Sequence, residues 1–190
     1  MNPKVNSKEA LQLLTTQIEA VIAPMGYEVV ALELTVHGER ILRLSIDFLD
    51  QAHLAEPTKR IGLNDCIAVN SAVDLLLEET PHIEGAYHLE VSSPGVERPL
   101  RKKQDFERFK GQRVRISTYR PLEANELKNS HYWEKNKKQK NFIGELVGVY
   151  VDGNHIQIKP EGYKGGAEEF EGILIPLDLV TKANLEFTNP

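Results

Sequence analysis

The chain has 190 residues, of which 41% are hydrophobic and 27% charged, a composition that excludes wholesale disorder and a fibrous class. This length exceeds one small domain and predicts two compact domains. No segment approaches the ~20 apolar residues of a membrane-spanning helix, and the N-terminus lacks the pattern of a secretory leader, so we expect a cytoplasmic protein. The single cysteine, Cys66, cannot form an internal disulfide, which agrees with a reducing compartment.

The net charge of −5 is unevenly distributed along the chain. Residues 1–96 carry six Lys or Arg against fourteen Asp or Glu, whereas residues 97–140 carry fourteen against six, and residues 141–190 carry three against eight. The middle segment is therefore +8 between two acidic stretches of −8 and −5. A basic segment can neutralise phosphates, while an acidic domain suits a basic protein partner. A ribonucleoprotein particle would offer both kinds of partner.

The first elements are a helix and a hairpin. Ser7 can cap the helix and Pro24 can end it, while the apolar positions between them recur at helical spacing: Leu11, Leu14, Ile18, Val21 and Ile22. Residues 27–37 and 41–49 alternate as strands around a turn at 38–40. Helix and hairpin together predict the start of a layered α/β domain.

A polar loop at 50–62 precedes the second helix, for which Asn64 is the predicted N-cap and Glu79 the approximate end. The predicted apolar face of this helix comprises Ile67, Ala68, Ala72, Leu75 and Leu76. A third strand is predicted at 87–92. The order α-β-β-α-β predicts an α/β sandwich, with two helices on one face of a small sheet, as an N-terminal domain at 1–93.

The next segment, 94–110, is predicted to be an interdomain turn followed by a short helix at 105–109, because Pro94 and Gly95 suit neither a helix nor a central strand. The C-terminal domain then covers 111–190. Its predicted strands are 113–118, 142–151, 155–160, 173–176 and 185–187, with a tight turn at 152–154 and a 3₁₀ turn at 177–179. Five short strands predict a small all-β SH3-like or Sm-like barrel, so the fold class is α+β with two domains.

Three motifs occur in the same order as in a known protein family: Asn64-Asp65-Cys66, the run from Tyr87 through Ser92-Ser93-Pro94-Gly95 to Arg98-Pro99-Leu100, and Lys182-Ala183-Asn184-Leu185. In these motifs the chain resembles the RimP family of ribosome maturation factors over nearly its whole length, and the Ser-Ser-Pro-Gly element is the most specific of them.

The resemblance implies a two-domain, non-catalytic assembly factor with an SH3-like second domain. Its implied partners are the immature small ribosomal subunit, the ribosomal RNA of that subunit and its ribosomal protein twelve, a protein of the decoding region. The chain departs from the shorter family form in a longer loop at 50–62, an insertion at about 120–140 and an acidic loop at 161–171.

The Ser-Pro-Gly segment allows three interpretations. Catalysis by Ser92 or Ser93 is disfavoured, because no Gly-x-Ser-x-Gly elbow is present and a proline follows directly. In the structural interpretation, which we favour, the serines satisfy turn backbone groups while Pro94 and Gly95 set the interdomain angle. A binding role can hold at the same time, because nearby cations could present phosphate-directed charge: Arg98, Arg101, Lys102 and Lys103.

The insertion at 120–140 is the second candidate site, because it places Trp133 among Lys135, Lys137, Lys138 and Lys140. Bases stack on aromatic rings and ammonium groups neutralise phosphates, so this segment could grip single-stranded RNA. The alternative, a mobile and solvated hairpin tip, is somewhat favoured over it.

Other residues remain weaker candidates. Glu28, Glu33, Glu84 and Glu90 could receive a basic protein tail, although solubility explains them equally well. The six histidines show no metal-ligand spacing, and no nucleotide-binding loop is evident, so no cofactor or metal is expected. Two function classes remain open: an assembly factor for the small ribosomal subunit, expected to be a monomer, and a general RNA-binding or RNA-chaperone protein with a Sm-like barrel.

Overall fold

The structure is a computed structural model that describes residues 7–49, 60–79, 83, 85–163 and 172–187. It divides into two compact units, residues 1–94 and 95–190. Most of the predicted loops at 50–62 and 161–171, together with Glu84, lie outside the described residues.

Among its described residues, the first unit contains two helices and three strands in the predicted order α-β-β-α-β. Their bounds are α1 Ser7–Ile22, β1 Tyr27–His37, β2 Glu39–Phe48, α2 Leu63–Glu79 and β3 His88–Ser92, with a 3₁₀ turn at Ala23–Met25 after α1. Strands β1 and β2 form an antiparallel hairpin, and β3 runs parallel to β2 in the sheet order β1-β2-β3. The prediction of a mixed α/β first unit is therefore confirmed.

The core of this unit lies between the two helices and one face of the sheet. Alternate residues of β2 point inward and are fully buried, as the period of two in the sequence predicts: Leu42, Leu44 and Ile46. They pack with Leu14 and Ile18 of α1 and with residues of α2. The opposite face carries an ion pair between Arg43 and Glu90 at 3.1 Å, with both side chains about half exposed.

The predicted apolar face of α2 is wrong at Ile67, Ala68 and Leu75, although Leu76 packs against the core as predicted. Val69 and Val73 are fully buried, whereas Ile67 and Leu75 are 54% and 65% exposed. Apolar residues surround most of this helix, from Leu63 to Leu77, so its sequence does not single out one face. Packing against the sheet decides which face is buried.

The start of α2 also differs from the prediction. The helix begins at Leu63, so Asn64 lies inside its first turn and is not the N-cap. The carboxylate of Asp65 instead accepts a hydrogen bond from the backbone N–H of Gly62 at 2.8 Å and another from the Tyr27 hydroxyl at 2.6 Å. The hydrogen bond to Asp65, with burial, raises the pKa of Tyr27 to about 12. Asp65 therefore joins the start of α2 to the start of β1.

In the part of the second unit that the structure describes there are three short helices and five strands. Their bounds are α3 Lys103–Arg108, β4 Arg113–Thr118, α4 Ala124–Leu127, α5 Ser130–Lys135, β5 Asn141–Val149, β6 His155–Pro160, β7 Ile173–Pro176 and β8 Val180–Leu185, with a 3₁₀ turn at Leu177–Leu179. The strands form one antiparallel sheet in the order β7-β6-β5-β4-β8. Every residue of the edge strand β7 is buried, and Ile173 and Ile175 contribute to the core of the unit.

A closed SH3-like or Sm-like barrel is not confirmed. Among the described residues no ladder joins β7 to β8, the two edges of the sheet. The last strand is also misplaced in the prediction, because β8 covers Val180–Leu185 and not 185–187. Alternation in β8 is weak, since only Ala183 of its six residues is buried, which explains why the sequence pattern did not locate it.

Residues assigned from sequence to an interdomain segment pack in the second unit. Leu100, Phe106 and Phe109 are buried in the same core as the strands that begin at β4. The structure accordingly groups residues 95–110 with the five-stranded unit.

Candidate nucleic-acid interface

Arg98 and Asp105 form a buried ion pair at the beginning of the second unit. One terminal guanidinium nitrogen of Arg98 donates to Asp105 Oδ1 at 3.2 Å, and the two side chains are only 4% and 10% exposed. The guanidinium also lies 4.9 Å from the centre of the Phe109 ring, a cation–π distance. Both charged groups are therefore committed to contacts inside the protein.

The same carboxylate holds the backbone around it. Asp105 Oδ2 accepts hydrogen bonds from the backbone N–H groups of Arg101 and Lys102, both at 2.8 Å. Asp105 is the third residue of α3, where a carboxylate can accept from the N–H just before the helix. Sequence reasoning missed this residue, although its spacing from Lys102 is the recognisable half of a capping box.

Two of the motifs that suggested the family lie side by side. The N–H of Leu100 donates to the carbonyl of Ala183, and the N–H of Leu185 donates to the carbonyl of Arg98, each at 2.8 Å. Pro99 forms an isolated antiparallel bridge with Asn184, whose side-chain amide donates to the carbonyl of Glu97 at 2.9 Å. The segment 97–100 thus pairs with β8, so the two motifs are hydrogen-bonded to each other.

The prediction that Arg98 presents its charge to phosphate is wrong, because its guanidinium is buried against Asp105 and Phe109. The neighbouring cations Arg101, Lys102 and Lys103 are exposed, as a phosphate contact requires. The pair beneath them fixes the backbone from which these three side chains extend.

Arginines and lysines of the basic segment differ in their contacts and exposure. Three further arginines form ion pairs with glutamates: Arg113 with Glu161, Arg115 with Glu186, and Arg120 with Glu126. The hydrogen bonds from Arg115 and Arg120 lower the pKa values of Glu186 and Glu126. Ammonium groups carry most of the outward-facing positive charge of this unit, because its lysines are exposed: Lys103, Lys135, Lys137, Lys138 and Lys140.

The insertion at 120–140 is folded and not a solvated hairpin tip, which corrects the favoured prediction. It contains α4 and α5, and Leu122 and Leu127 are buried in the core of the unit. Asn129 is 1% exposed and accepts a hydrogen bond from the N–H of Tyr132 at 2.9 Å, which caps α5. Apolar anchors on both sides of this cap hold the insertion against the sheet.

Trp133 is engaged inside the protein. Its Nε1 donates to the carbonyl of Leu122 at 3.0 Å, its ring packs against the core, and Lys137 Nζ lies 4.7 Å from the ring centre. The predicted role of Trp133 as a base-stacking platform is therefore not supported. Lys140 also has a contact within the unit, since its Nζ donates to the carbonyl of Tyr119 at 3.1 Å.

The turn at residues 92–95, within the motif from Tyr87 to Leu100, is described at every residue. Ser92 ends β3 opposite Ser45, and Ser93 and Pro94 follow outside any strand. Gly95 has φ +73°, a left-handed conformation that favours glycine, as the turn prediction requires. The roles of the Ser92 and Ser93 hydroxyls stay predictions.

Two kinds of feature are absent from the described residues. No helix among them is long and apolar enough to span a membrane. No group of three or more His, Cys, Asp or Glu side chains in the described ranges has the arrangement of a metal site.

Residues 17–97 match the model of the RimP N-terminal domain. The matched range covers most of α1, both strands of the hairpin, α2 and β3, and it ends just before the buried Arg98. The first unit of the chain therefore carries a domain similar to the N-terminal domain of the RimP family.

Proposed function

We propose that the protein is a ribosome maturation factor that binds the immature small ribosomal subunit in the cytoplasm and assists its assembly without catalysing a reaction. The observation that carries the proposal is the match of residues 17–97 to the RimP N-terminal domain, since this match supports a general role in ribosome maturation. The proposed contacts are small-subunit ribosomal RNA and ribosomal protein twelve, and the protein acts as a monomer.

The distribution of charge supports a division of labour between the two units. The first unit lies within the −8 stretch of the chain and suits a basic ribosomal protein, while the second carries exposed lysines that suit RNA phosphates. We propose further that the five-stranded sheet of the second unit is an SH3-like barrel, a fold that many binding modules share.

Gradient sedimentation tests the proposal. We expect tagged protein to sediment with free small subunits and a deletion strain to accumulate fewer mature small subunits. Sedimentation only with light RNA complexes would contradict the maturation role and favour a general RNA chaperone. Sedimentation with translating ribosomes would contradict both.

A charge variant tests whether the exposed cations beside the buried pair contribute. Replacing Arg101, Lys102 and Lys103 by alanine should weaken subunit binding and release the protein from subunits at lower salt, because phosphate contacts are lost. The matched control, Arg101→Lys with Lys102→Arg and Lys103→Arg, keeps the charge and should sediment like the wild type.

A further inference from the structure

A pocket of about 530 Å³ lies beside α5 in the second unit. This volume falls within the ~300–1,000 Å³ typical of ligand sites. Its lining includes residues of α5, the start of β5 and the turn after β6, among them His131, Tyr132, Lys135, Asn136, Asn141 and Tyr163. Most of one wall comes from the insertion, in which the chain departs from the shorter family form.

A buried side chain fixes two walls of the pocket relative to each other. The amide of Asn129 donates to the carbonyl of Gly172 at 2.9 Å and to the hydroxyl of Tyr163 at 3.3 Å, while its oxygen caps α5. Tyr132 is held on the other side, because its hydroxyl donates to Gln139 Oε1 at 2.9 Å. The two tyrosine rings are therefore presented by a preformed scaffold, which reduces the entropy lost on binding.

The charges around the pocket favour an anionic ligand. Lys135 Nζ lies 3.1 Å from His131 Nε2 on the α5 wall, and Lys135 is exposed. The one carboxylate among the lining residues, Glu161, is paired with Arg113. Lys137 and Lys138 continue the positive charge along the chain beyond the pocket.

Two carboxamides on the lining have unused hydrogen-bonding atoms. Asn136 donates through Nδ2 to the carbonyl of Tyr132, and Asn141 accepts at Oδ1 from the Ser117 hydroxyl. The other atom of each amide, Asn136 Oδ1 and Asn141 Nδ2, makes no hydrogen bond within the described part of the chain. An acceptor and a donor on one lining are what the edge of an unstacked nucleobase needs.

We propose that this pocket binds one unstacked nucleotide of single-stranded RNA. The base stacks on Tyr163, its edge meets Asn136 and Asn141, and a phosphate meets Lys135. RNA fits better than a free nucleotide, because the lysines beyond the pocket can neutralise neighbouring phosphates of a continuous strand. The inference rests on the proposed function only in choosing RNA as the source of the nucleotide.

Binding of a labelled, unstructured RNA of about eight nucleotides, a length within the site sizes of small single-strand-binding modules, tests the inference by fluorescence anisotropy. Tyr163→Ala should weaken binding roughly 5- to 100-fold, the loss of one stacked base. Tyr163→Phe keeps the ring and should bind within about twofold of the wild type. Phe187→Ala, which removes a 56% exposed aromatic outside the pocket, is the control and should bind normally.

A nucleoside monophosphate as probe separates the pocket from the surrounding charge. Lys135→Ala should weaken its binding, whereas Lys138→Ala should not, because Lys138 is exposed and does not line the pocket. The fluorescence of Trp133, the single tryptophan, would reveal whether Tyr163→Ala fails to fold. If it does, the two lysine variants still test nucleotide binding in the pocket.

Three results would each contradict nucleotide binding in the pocket. They are unchanged RNA binding by folded Tyr163→Ala, equal effects of the two lysine variants on binding of the monophosphate, and no RNA binding by the wild type. These results are independent of sedimentation. A protein that fails to sediment with small subunits can still bind RNA in this pocket, and one without a functional pocket can still bind subunits.

Discussion

At the scale of single residues, the pair of Arg98 and Asp105 is the feature whose loss should cost the second unit most. Burying two charges is unfavourable unless each is paired, and removal of one partner leaves the other uncompensated. Asp105 also satisfies two backbone N–H groups. One carboxylate therefore neutralises a buried guanidinium and holds the turn that precedes α3.

We expect Asp105→Ala to lower the free energy of unfolding by ~3–5 kcal/mol, because it leaves Arg98 buried without its counter-ion. Asp105→Asn should cost less, since the amide oxygen can still accept from the two backbone N–H groups. Chemical denaturation followed by Trp133 fluorescence measures both changes.

Glu107→Ala is the matched control on the same helix. Glu107 pairs with Lys110 at 2.5 Å and accepts a hydrogen bond from the N–H of Val149 at 2.7 Å, but both charged side chains are nearly half exposed, so its loss should cost only about 1 kcal/mol. Equal destabilisation by the Asp105 and Glu107 variants would show that the buried pair has no special role.

Sequence reasoning at this scale located the motif but not the function of each side chain in it. Arg98, Arg101, Lys102 and Lys103 look alike as a run of cations. Burial separates the first from the other three: its guanidinium packs on Phe109, and its backbone pairs with β8, which lies more than eighty residues away. No local pattern carries that information.

At the scale of elements, the insertion with α4 and α5 is a packed part of the second unit and not the mobile hairpin tip that the sequence favoured. Its apolar residues are anchored in the core, and its lysines project from that support. A lysine on an ordered segment loses less entropy when it contacts a phosphate than one on a mobile loop. The folded insertion therefore strengthens the case for RNA contact while it removes Trp133 from the contact surface.

Replacing Lys135, Lys137, Lys138 and Lys140 by alanine should flatten the dependence of RNA binding on salt. The logarithmic slope should fall by up to ~4 units, since each lost phosphate contact releases about one counterion fewer. Titrations at several salt concentrations give the slope directly.

The corresponding quadruple Lys→Arg variant preserves the charge and should keep the slope of the wild type. An unchanged slope in the alanine variant would rule out the insertion as an RNA-binding element. Because Lys137 lies over the Trp133 ring, the tryptophan spectrum of each variant should also be compared with that of the wild type.

The elements themselves were predictable to different degrees. The strands β4, β6 and β7 match the predicted ranges, because short alternating or apolar runs between turn residues define them well. The helices α4 and α5 were missed, since each is short and lies in a polar, charged sequence. Their stability comes from caps and core anchors, which the sequence pattern does not reveal.

At the scale of the whole molecule, the second unit begins earlier than its strands suggest. Leu100, Phe106 and Phe109 contribute three buried side chains, each worth ~1.5–3 kcal/mol, and the total approaches the ~5–15 kcal/mol stability of an entire domain. The core is therefore incomplete without the segment that the sequence assigned to the interdomain connection.

A fragment of residues 95–190 should unfold cooperatively, whereas a fragment of residues 111–190 should be unfolded or loosely packed. Thermal unfolding by circular dichroism, together with Trp133 fluorescence, distinguishes the two outcomes. Equal melting temperatures for both fragments would show that the segment 95–110 adds nothing to the core.

The domain boundary illustrates what the sequence could not supply. Gly111 follows a short helix and precedes a clear strand, so it resembles the start of a domain. The apolar residues before it could have covered either unit, and only the three-dimensional contacts assign them to the second.

The hydrogen bonds between residues 98–100 and 183–185 also constrain the folding of the protein during its own synthesis. They join positions more than eighty residues apart, so they add to the contact order of the unit and slow its folding. A translating ribosome must release residues 183–185 before they can pair with residues 98–100. The first unit, which ends at residue 94, can fold well before that moment.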